Sequence, residues 1–598
     1  MPEPEKHDLP DLGGGLNEES PTGIADNQMV ELYNFNPESK NLVRRKGVSR
    51  ITSSPYSVNT TSAFALREST GEWTVIVGTM TGLAKLDGTQ LVALPSSSGP
   101  PTFNSVQDPW DFHQYADTGY AMRPGVGLKR FTHGFFGDAG IAPPAAAPVI
   151  AEGAAGNAEG GDFYPVYTYY NTRTGVQSNP SPPGAKLTKA ASKKFNWSNL
   201  VPSSNGQVDA MRLSRAGPIG AGASPGEYFF ATEIDGNSQT FTEDVVINDL
   251  ADPVSFDNGL PPSGLLFGDN FMERLFATDG TDGFFSEEGL WECFASDSVL
   301  EIFRDDGHRI SAVRAFGDRC IFGKTNKVHY VVPTGVRKFQ RFTLSDRHGM
   351  WSHYSCRVAE SHLFWFGGGG PNDPAAFYRS GGTGVDDISD KKLKNILARI
   401  PDNKKQYASA EIYEPAHLYV CSLPLDSSSS NMVVAAHNYR TGAWTLYDHP
   451  SQAPSFFAEV FDANYGKQLY STFYDGHLYR YFNGNTDYGS PIVARLKTRQ
   501  FQFGKLGLKN CLKKLGLLAT QLGQNITIKI YKNGESTAIK SRTVPLSISP
   551  AWKVYSLKNS RQPGDSIQIG LEYTGEDELT IEAMALWVTN FFRHRRAA

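Results

Sequence analysis

The feature that most constrains the fold of this chain is a succession of short apolar runs, each closed by a tight turn. Near the start these runs cover residues 63–66, 73–78 and 82–86, and Gly, Asp or Ser residues separate them. Aromatic residues make up 12% of the chain and charged residues only 20%, a composition that favours short strands joined by turns. The sequence therefore predicts an all-β protein.

The same pattern returns later in the chain and suggests a repeated unit. Groups of four such runs recur at roughly 40 to 50 residues, which is the repeat length of a β-propeller blade. We therefore expect a β-propeller whose first part spans residues 61–145 and whose remaining blades span residues 263–490. The number of blades stays open, because the repeat is not visible as a sequence repeat.

Three segments do not follow the blade pattern. Residues 1–60 show little apolar periodicity and are expected to form an irregular leader that packs on the propeller. Residues 146–262 follow a linker rich in Ala, Gly and Pro, and their strand-like runs predict an inserted β-sandwich of the immunoglobulin or fibronectin kind. Residues 491–598 contain long alternating runs and are predicted to form a C-terminal β-sandwich.

One helix is predicted after Ser389, where apolar residues follow helical spacing until Pro401 ends the pattern. The apolar residues of this helix are Leu393, Ile396, Leu397 and Ile400. We expect them to form one face that packs on the propeller.

The sequence also indicates the compartment. Residues 1–12 are acidic and lack an apolar core, and no apolar run is long enough to span a membrane. The cysteines are odd in number, widely spaced and mostly set among strand-like residues. They are Cys293, Cys320, Cys356, Cys421 and Cys511. We expect buried free thiols in a protein that is made and kept in a reducing cytosol.

Charge is distributed unevenly along the chain. From residue 491 onward there are 17 Lys and Arg against 7 Asp and Glu, whereas 40 basic residues face 55 acidic residues before it. A basic C-terminal domain on an acidic body suggests docking to an acidic partner, although such charge also serves solubility. The candidate docking residues are Lys505, Lys509, Lys513 and Lys514.

Residues 317–325 resemble a phosphate-binding loop but have the wrong spacing. Such a loop places four residues between its glycines so that successive backbone N–H groups surround the phosphates. Here five residues separate Gly317 from Gly323, and residues 319–322 are typical of a strand. We therefore expect no nucleotide and no other cofactor at this segment.

Four potential metal ligands lie close together in the sequence. They are His348, His353, Cys356 and His362. Zinc ligands usually come in tight pairs, because two ligands on one turn preorganise the tetrahedral site. The looser spacing here favours ordinary strand packing, and no metal is expected.

The leader carries four short motifs in a fixed order. They are Leu12-Gly13-Gly14-Gly15-Leu16-Asn17, Ile24-Ala25-Asp26-Asn27-Gln28, Leu32-Tyr33-Asn34-Phe35-Asn36-Pro37 and Leu42-Val43-Arg44-Arg45-Lys46-Gly47. This series resembles the opening of the tail nozzle (tail tubular protein B) family of short-tailed double-stranded DNA bacteriophages, in which Gly-Gly-Leu-Asn leads through an Asn-Phe-x-Pro turn to Arg-Lys-Gly. Residues 167–182 and the C-terminal sandwich are also similar to that family, whereas the middle blades resemble it only in texture.

The resemblance implies a structural protein of the virion that is assembled in the cytoplasm of the host bacterium. It implies a hexameric tube below the portal and its adaptor, with propellers around a channel that retains the packaged DNA and conducts it during ejection. It implies no cofactor and no active site. An acidic body would let DNA pass without specific binding, because contacts from Lys and Arg to phosphates supply most non-specific affinity. The basic C-terminal lysines could dock to an acidic adaptor or to a neighbouring tail or fibre protein.

A second class of function stays open. Propellers also carry glycan-binding adhesins and glycoside hydrolases such as sialidases. Glycoside hydrolysis needs two carboxylates that flank one bond, and the sequence does not show which of 62 acidic residues converge. The alternative is therefore a glycan-binding or glycoside-hydrolysing propeller of the tail, and the sequence favours a protein that is not an enzyme.

Overall fold

Almost all of the regular structure in the computed structural model is β-structure, and the strands are numbered β1 to β48 in chain order. The structure describes residues 3–96, 108–219, 225–370, 373–428, 430–462, 466–504, 508–520, 524–546, 551–557 and 563–592. The only α-helix in this part of the chain is Lys394–Leu397, and short 3-10 turns span Ile247–Asp249, Arg304–Asp306, His353–Ser355, Asp402–Tyr407 and Glu414–Ala416. None of the helices found in these ranges is long and apolar enough to cross a membrane.

Five short strands precede the first blade. They are β1 (Glu5–Leu9), β2 (Met29–Tyr33), β3 (Phe35–Glu38), β4 (Asn41–Arg44) and β5 (Val48–Arg50). Two four-stranded antiparallel meanders follow and form blades 1 and 2. Their strands are β6 (Thr60–Arg67), β7 (Trp73–Thr79), β8 (Gly82–Asp87), β9 (Gln90–Ala93), β10 (Asp111–Tyr115), β11 (Thr118–Arg123), β12 (Gly127–Phe131) and β13 (Phe136–Asp138).

The chain then leaves the propeller for two sheets that pack face to face around a shared aromatic core. These strands are β14 (Val149–Ala155), β15 (Gly161–Tyr170), β16 (Leu187–Lys189), β17 (Lys193–Ser198), β18 (Ala210–Ile219), β19 (Phe229–Asp235) and β20 (Phe241–Glu243). Phe163 and Phe195 meet edge to face across this core with ring centroids 4.9 Å apart. The inserted unit is therefore a β-sandwich.

Blades 3, 4 and 5 follow the insertion as three further antiparallel sheets. Their strands are β21 (Phe267–Phe271), β22 (Arg274–Thr278), β23 (Gly283–Phe285), β24 (Val299–Leu300), β25 (Ile310–Phe316), β26 (Arg319–Lys324), β27 (Val328–Gly335), β28 (Lys338–Ser345), β29 (Gly349–Met350), β30 (Arg357–Ala359), β31 (His362–Gly368), β32 (Ala376–Ser380) and β33 (Asp386–Asp387). In blade 5 the innermost strand is split into β29 and β30, which both pair with β31.

Blades 6 and 7 complete the propeller. Their strands are β34 (Ser409–Tyr413), β35 (Leu418–Pro424), β36 (Asn431–Asn438), β37 (Trp444–Asp448), β38 (Phe456–Asp462), β39 (Gly466–Thr472) and β40 (Leu478–Tyr481). Middle strands such as β31 and β35 are buried along almost their whole length, because each blade is covered by a neighbour on both faces. This explains why their sequences are continuous apolar runs without alternation.

Contacts between the innermost strands run once around the ring. Strand β6 contacts β10, β10 contacts β21, β21 contacts β25, β34 contacts β38, and β38 returns to β6. Blade 5 joins this series through the turn His353–Ser355, which contacts β25, and through β30, which contacts β34. The prediction of an all-β propeller is therefore confirmed, and the described strands form seven blades.

The last part of the chain forms a second sandwich. Its strands are β41 (Thr486–Asp487), which leads in, β42 (Ser490–Thr498), β43 (Leu508–Thr520), β44 (Asn525–Lys532), β45 (Lys540–Pro545), β46 (Ala551–Ser556), β47 (Ile567–Gly575) and β48 (Thr580–Phe592). One sheet contains β42, β44, β45 and β47, and the other contains β43, β46 and β48. Their apolar faces share one core with blade 6.

The leader strands pair with strands of both the propeller and the C-terminal sandwich. Strand β5 pairs with β40 and so supplies the outer strand of blade 7, while β2 lies between β37 of blade 6 and β42 of the C-terminal sandwich. Strands β1 and β4 pair with β48. The prediction of an irregular leader is therefore wrong for these residues. Each strand has only three to five residues. Apart from the local pair of β3 and β4, the partners are far away in sequence, so no local periodicity revealed these strands.

The predicted helix after Ser389 is reduced to four residues. Lys391 adopts a positive φ of 64°, which is incompatible with a continuous right-handed helix. The predicted apolar residues are nevertheless buried. They are Leu393, Ile396, Leu397 and Ile400. Burial of the apolar residues therefore did not require a longer helix.

Candidate functional site

A short turn of blade 5 lies across the axis of the propeller. His353 donates from Nε2 to Asp111 Oδ1 of blade 2 at 3.1 Å, and Tyr354 donates its hydroxyl to the carbonyl oxygen of Pro109 at 2.9 Å. The Tyr354 ring also packs edge to face on Phe456 of blade 7, with centroids 5.8 Å apart. Because these blades surround the axis from different sides, the turn His353–Ser355 closes the centre of the ring.

Serines on either side of the turn hold it in place. Ser352 Oγ donates to the carbonyl oxygens of Gln406 and Ala408 at 3.0 and 2.6 Å, and Ser355 Oγ donates to the carbonyl oxygen of Ser352 at 2.8 Å. Short hydroxyl side chains can satisfy backbone groups that an interrupted strand leaves unpaired. The local sequence Ser-His-Tyr-Ser therefore stabilises an excursion from the innermost strand.

A buried polar network surrounds His353 at the axis. Asp111 Oδ2 is 2.8 Å from His113 Nε2 and accepts a hydrogen bond from the backbone N–H of Gly268 at 2.8 Å. Asp269 accepts a hydrogen bond from Arg314 Nη1 at 3.3 Å and lies 3.8 Å from His113 Nδ1. The residues of three blades thus share one cluster of charges.

The protonation states follow from these contacts. Burial raises the pKa of the Asp111 carboxyl, but the charges of His113 and His353 and the hydrogen bonds from both histidines outweigh it, and the pKa lies well below its usual range. Burial lowers the pKa of His113, but Asp111 and, to a smaller extent, Asp269 raise it by more than burial lowers it, so the net shift is upward. Burial lowers the pKa of His353, whose Nδ1 accepts the backbone N–H of Val313 at 3.3 Å. These two hydrogen bonds place a proton of the His353 ring on Nε2.

Replacement of Asp111 by asparagine is expected to destabilise the protein in a pH-dependent way. A hydrogen bond to a charged group contributes about 2 kcal/mol. Because the folded-state pKa of Asp111 is depressed, its contribution is fully present above the unfolded pKa of about 3.9 and is lost as the pH falls towards the folded value. Urea unfolding of wild type and Asp111→Asn should therefore show a difference that is constant near neutral pH and shrinks in acid.

Asp346→Asn is the control for this measurement, since Asp346 is 77% exposed and lies 3.9 Å from Arg347. It should leave the free energy of unfolding nearly unchanged at every pH. A difference between wild type and Asp111→Asn that does not vary with pH would contradict the assignment of an ionised Asp111.

A cavity of about 500 Å³ lies above the turn. Its lining comes from segments that enter the innermost strands of successive blades. The principal residues are Asp108, Pro109, Phe267, Arg309, Trp351, Tyr354, Asp402, Lys405 and Tyr407. Trp351 and Tyr354 are buried, whereas Arg309 and Asp402 are exposed. The cavity therefore has an aromatic inner part and a charged rim. We call it the axial cavity.

Two of the charged residues of the axial cavity are already paired. Lys405 Nζ lies 2.6 Å from Asp402 Oδ1 and 3.6 Å from the centre of the Trp351 ring. Asp108 differs, since no hydrogen-bond donor within the described part of the chain contacts its carboxylate. Burial raises the pKa of Asp108, and the nearby charge of Arg123 opposes this only in part.

Three of the four predicted docking lysines, Lys509, Lys513 and Lys514, lie on strand β43. Lys509 Nζ pairs with Asp565 Oδ1 at 2.5 Å. Lys514 is exposed, and Lys513 occupies a register shift of β43 directly before it. Lys505 lies outside the described residues. Of the three described lysines, Lys514 is the most exposed.

The other predicted candidates are dispersed. His348 Nδ1 is 2.9 Å from Ser345 Oγ, and Cys356 Sγ lies 3.6 Å from Met350 Sδ, whereas His353 belongs to the axial network. Over the ranges that the structure covers, no group of three or more His, Cys, Asp or Glu residues could hold a metal ion. The loop-like segment at Gly317 contains strand β26. All five cysteines are buried, as predicted, and none of them forms a disulfide bond.

Sequence reasoning missed the axial network. Asp111, His113, Asp269 and Arg314 all lie on innermost strands. Only Arg314 has apolar neighbours on both sides in its strand, so a local sequence signal existed for that residue alone. Pairing these residues required the blade order, which the sequence left open.

The known proteins found to be similar to this chain are solved structures, and the similarity is one of fold. No protein-family model matches the chain, and no curated protein matches it. Among solved structures, the WD40 domain of Neurospora crassa Pan2 matches with 7% identity and a TM-score of 0.32, over 73% of this chain and 97% of that chain.

Two enzymes are among the similar structures. An exo-β-1,3-galactanase from Phanerochaete chrysosporium matches with 9% identity and a TM-score of 0.18, over 83% of this chain and 99% of that one. A family 43 arabinoxylan arabinofuranohydrolase from Bacillus subtilis matches with 8% identity and a TM-score of 0.19, over 66% of this chain and 93% of that one. The prediction that this chain is not an enzyme is corrected accordingly, because the similar structures include glycoside hydrolases. The likeness assigns no reaction to the chain.

Proposed function

We propose that this chain is a structural subunit of the tail of a short-tailed bacteriophage, where copies of it form the nozzle tube that retains and conducts DNA. The observation that carries the proposal concerns the leader. The short motifs that resemble the nozzle family are the residues that join the propeller to the C-terminal sandwich. The residues that carry the resemblance therefore also have a structural role in this chain.

A buried hydrogen-bond network forms this joint. Arg45, whose side chain is fully buried, donates from Nε to Asn34 Oδ1 at 2.7 Å and from Nη1 to Asp487 Oδ1 at 2.9 Å. It also donates from Nη2 to the carbonyl oxygen of Asp448 at 3.0 Å. Asn34 donates to the carbonyl oxygen of Val493 at 2.8 Å, in the first strand of the C-terminal sandwich. Arg45 and Asn34 of the leader therefore connect the propeller to the C-terminal sandwich.

Two glycines of the same motifs let the leader backbone approach other backbone closely. A Cβ atom at Gly13 would lie 1.9 Å from the carbonyl oxygen of Ser39, and one at Gly47 would lie 2.0 Å from that of Thr486. No side chain fits at such distances without a backbone shift. The joint therefore depends on these positions being glycine.

The turn at the centre of the ring limits where DNA could pass. Because the turn His353–Ser355 fills the centre of the ring, a single propeller offers no bore for a duplex. A conduit would have to lie between copies of the chain, and this matches a tube whose wall is made of propellers.

One surface suits contacts between copies. Trp552 and Val554 are 47% and 49% exposed and lie on β46, at the edge of its sheet among the described strands. Trp587 and Trp552 both flank Gly516, and Lys6 Nζ lies 5.9 Å from the Trp552 ring and 5.7 Å from the Trp587 ring. Exposed aromatic residues on an edge strand are typical of interaction surfaces. We call this surface the tryptophan face.

The charge of the chain indicates what covers the tryptophan face. Lys6 and Lys514 lie on or beside it, and residues 491–598 are basic overall, whereas the rest of the chain is acidic. A second copy can therefore place its acidic body against this face, and such a contact between different surfaces generates a ring when the rotation closes.

Reconstitution tests the proposed function. Purified chain is added to tail particles that carry the portal and adaptor but lack this chain. Electron microscopy should show one additional ring below the adaptor, and the particles should then retain DNA. Unchanged particles at saturating protein would contradict the proposal.

A further inference from the structure

We propose that the axial cavity binds a neutral saccharide unit, an activity separate from the proposed structural role. The cavity combines an aromatic inner part with two charged groups that have no protein partner in the structure described. This combination fits a ligand that has both an apolar face and several hydroxyl groups.

The size and position of the cavity are suitable for a small ligand. Its volume of about 500 Å³ lies within the range of roughly 300 to 1,000 Å³ that is usual for ligand sites. His353 and Tyr354 of the turn are part of its lining. The inner strands of the rigid ring fix the positions of its lining residues.

Aromatic side chains supply the apolar surface. Trp351, Tyr354, Tyr407 and Phe267 line the cavity, and Phe267 is held in place by stacking on His353 with ring centroids 4.6 Å apart. The C–H groups on one face of a sugar ring are apolar and pack on such rings. Rigid aromatic residues give this contact area at low entropic cost.

Two ionic groups that line the cavity remain available for hydroxyl groups. Within the ranges that the structure covers, neither the Asp108 carboxylate nor the Arg309 guanidinium has a hydrogen-bond or salt-bridge partner. A carboxylate accepts hydrogen bonds from hydroxyl groups, and a guanidinium donates several in a fixed fork. Together they complement the hydroxyl groups of one sugar, which both donate and accept.

The balance of charge favours a neutral ligand. The charged residues that line the cavity are Asp108, Asp402, Arg309 and Lys405, so two negative and two positive charges balance. A phosphate or carboxylate ligand would meet Asp108, and a cationic ligand would meet Arg309. A neutral polyol avoids both repulsions and can use both groups.

Saturation-transfer NMR tests the proposal. Glucose, galactose, rhamnose and N-acetylglucosamine are each mixed with the purified full chain, and transfer from the aromatic protons of the protein to the sugar is measured. At least one of the four should bind. Asp108→Asn and Arg309→Gln should each weaken this binding about tenfold or more, since each removes a charge-assisted hydrogen bond.

Asp318→Asn is the matched control, because Asp318 is 76% exposed and lies in the turn between β25 and β26, at the opposite end of the blade that Arg309 enters. It should bind the sugar as wild type does. Absence of transfer to all four sugars in the wild type, or equal transfer in both cavity variants, would overturn the proposal. Reconstitution onto tail particles is a separate readout, so failure here leaves the structural role unaffected.

Discussion

Replacement of Arg45 by methionine is expected to lower the free energy of unfolding by about 3–5 kcal/mol, because it leaves Asp487 as an uncompensated buried charge. Asp487 is 3% exposed, and its Oδ2 lies 2.5 Å from Arg45 Nη2. Burial raises the pKa of Asp487, but Arg45 and His449 outweigh burial and hold the pKa well below its usual range. The carboxylate is therefore ionised at neutral pH and needs its partner.

The measurement is urea unfolding of wild type, Arg45→Met, Asp487→Leu and the double variant. Removal of both charges should cost less than the sum of the single replacements, since neither partner is then left alone. Arg399→Met is the control. Arg399 pairs with Asp426 at 2.7 Å, but the two side chains are 48% and 59% exposed, so its loss should cost less than about 1 kcal/mol. Equal costs for Arg45→Met and Arg399→Met would contradict the role of Arg45 at the joint.

Replacement of Trp552 by glutamate is expected to abolish association between copies while leaving the fold intact. The change removes an exposed aromatic residue from the proposed interface and places an acidic group where an acidic neighbour would dock. Because Trp552 is half-exposed and lies on an edge strand, the monomer should lose little stability. Trp552→Phe should retain most of the association, since it keeps an aromatic side chain.

Sedimentation velocity and electron microscopy of these variants give the result. Val336→Glu is the matched control, because Val336 is 82% exposed but lies in the turn between β27 and β28 of blade 4. We expect Val336→Glu to assemble into rings and Trp552→Glu to remain unassembled. If Trp552→Glu forms normal rings, the tryptophan face is not part of the interface.

The sequence predicted the fold class because blade strands are local in sequence. Runs such as residues 73–78 and 82–86 carry their own strand and turn signals, so each meander was visible from its own residues. The leader strands were not predicted, because β2 and β5 are short and find their partners more than 400 residues later. Their pairing depends on the completed ring.

The axial cavity could not be predicted for the same reason. Asp108, Arg309 and Tyr407 belong to different blades, and only closure of the ring brings them to one cavity. The split inner strand of blade 5 had a local cause in the sequence Ser-His-Tyr-Ser, but the destination of the turn depends on Asp111 and Pro109 in blade 2. The docking lysines were chosen from charge alone, and this criterion did not distinguish Lys509, which is paired, from Lys514, which is exposed.

The most direct test of the central claim is the mass and symmetry of the purified chain, measured by light scattering and electron microscopy over a range of concentrations. We expect rings of six copies with an open centre between the propellers, formed by the chain alone or on adaptor-bearing particles. A monomer that persists at every concentration and never joins those particles would contradict the proposed nozzle role.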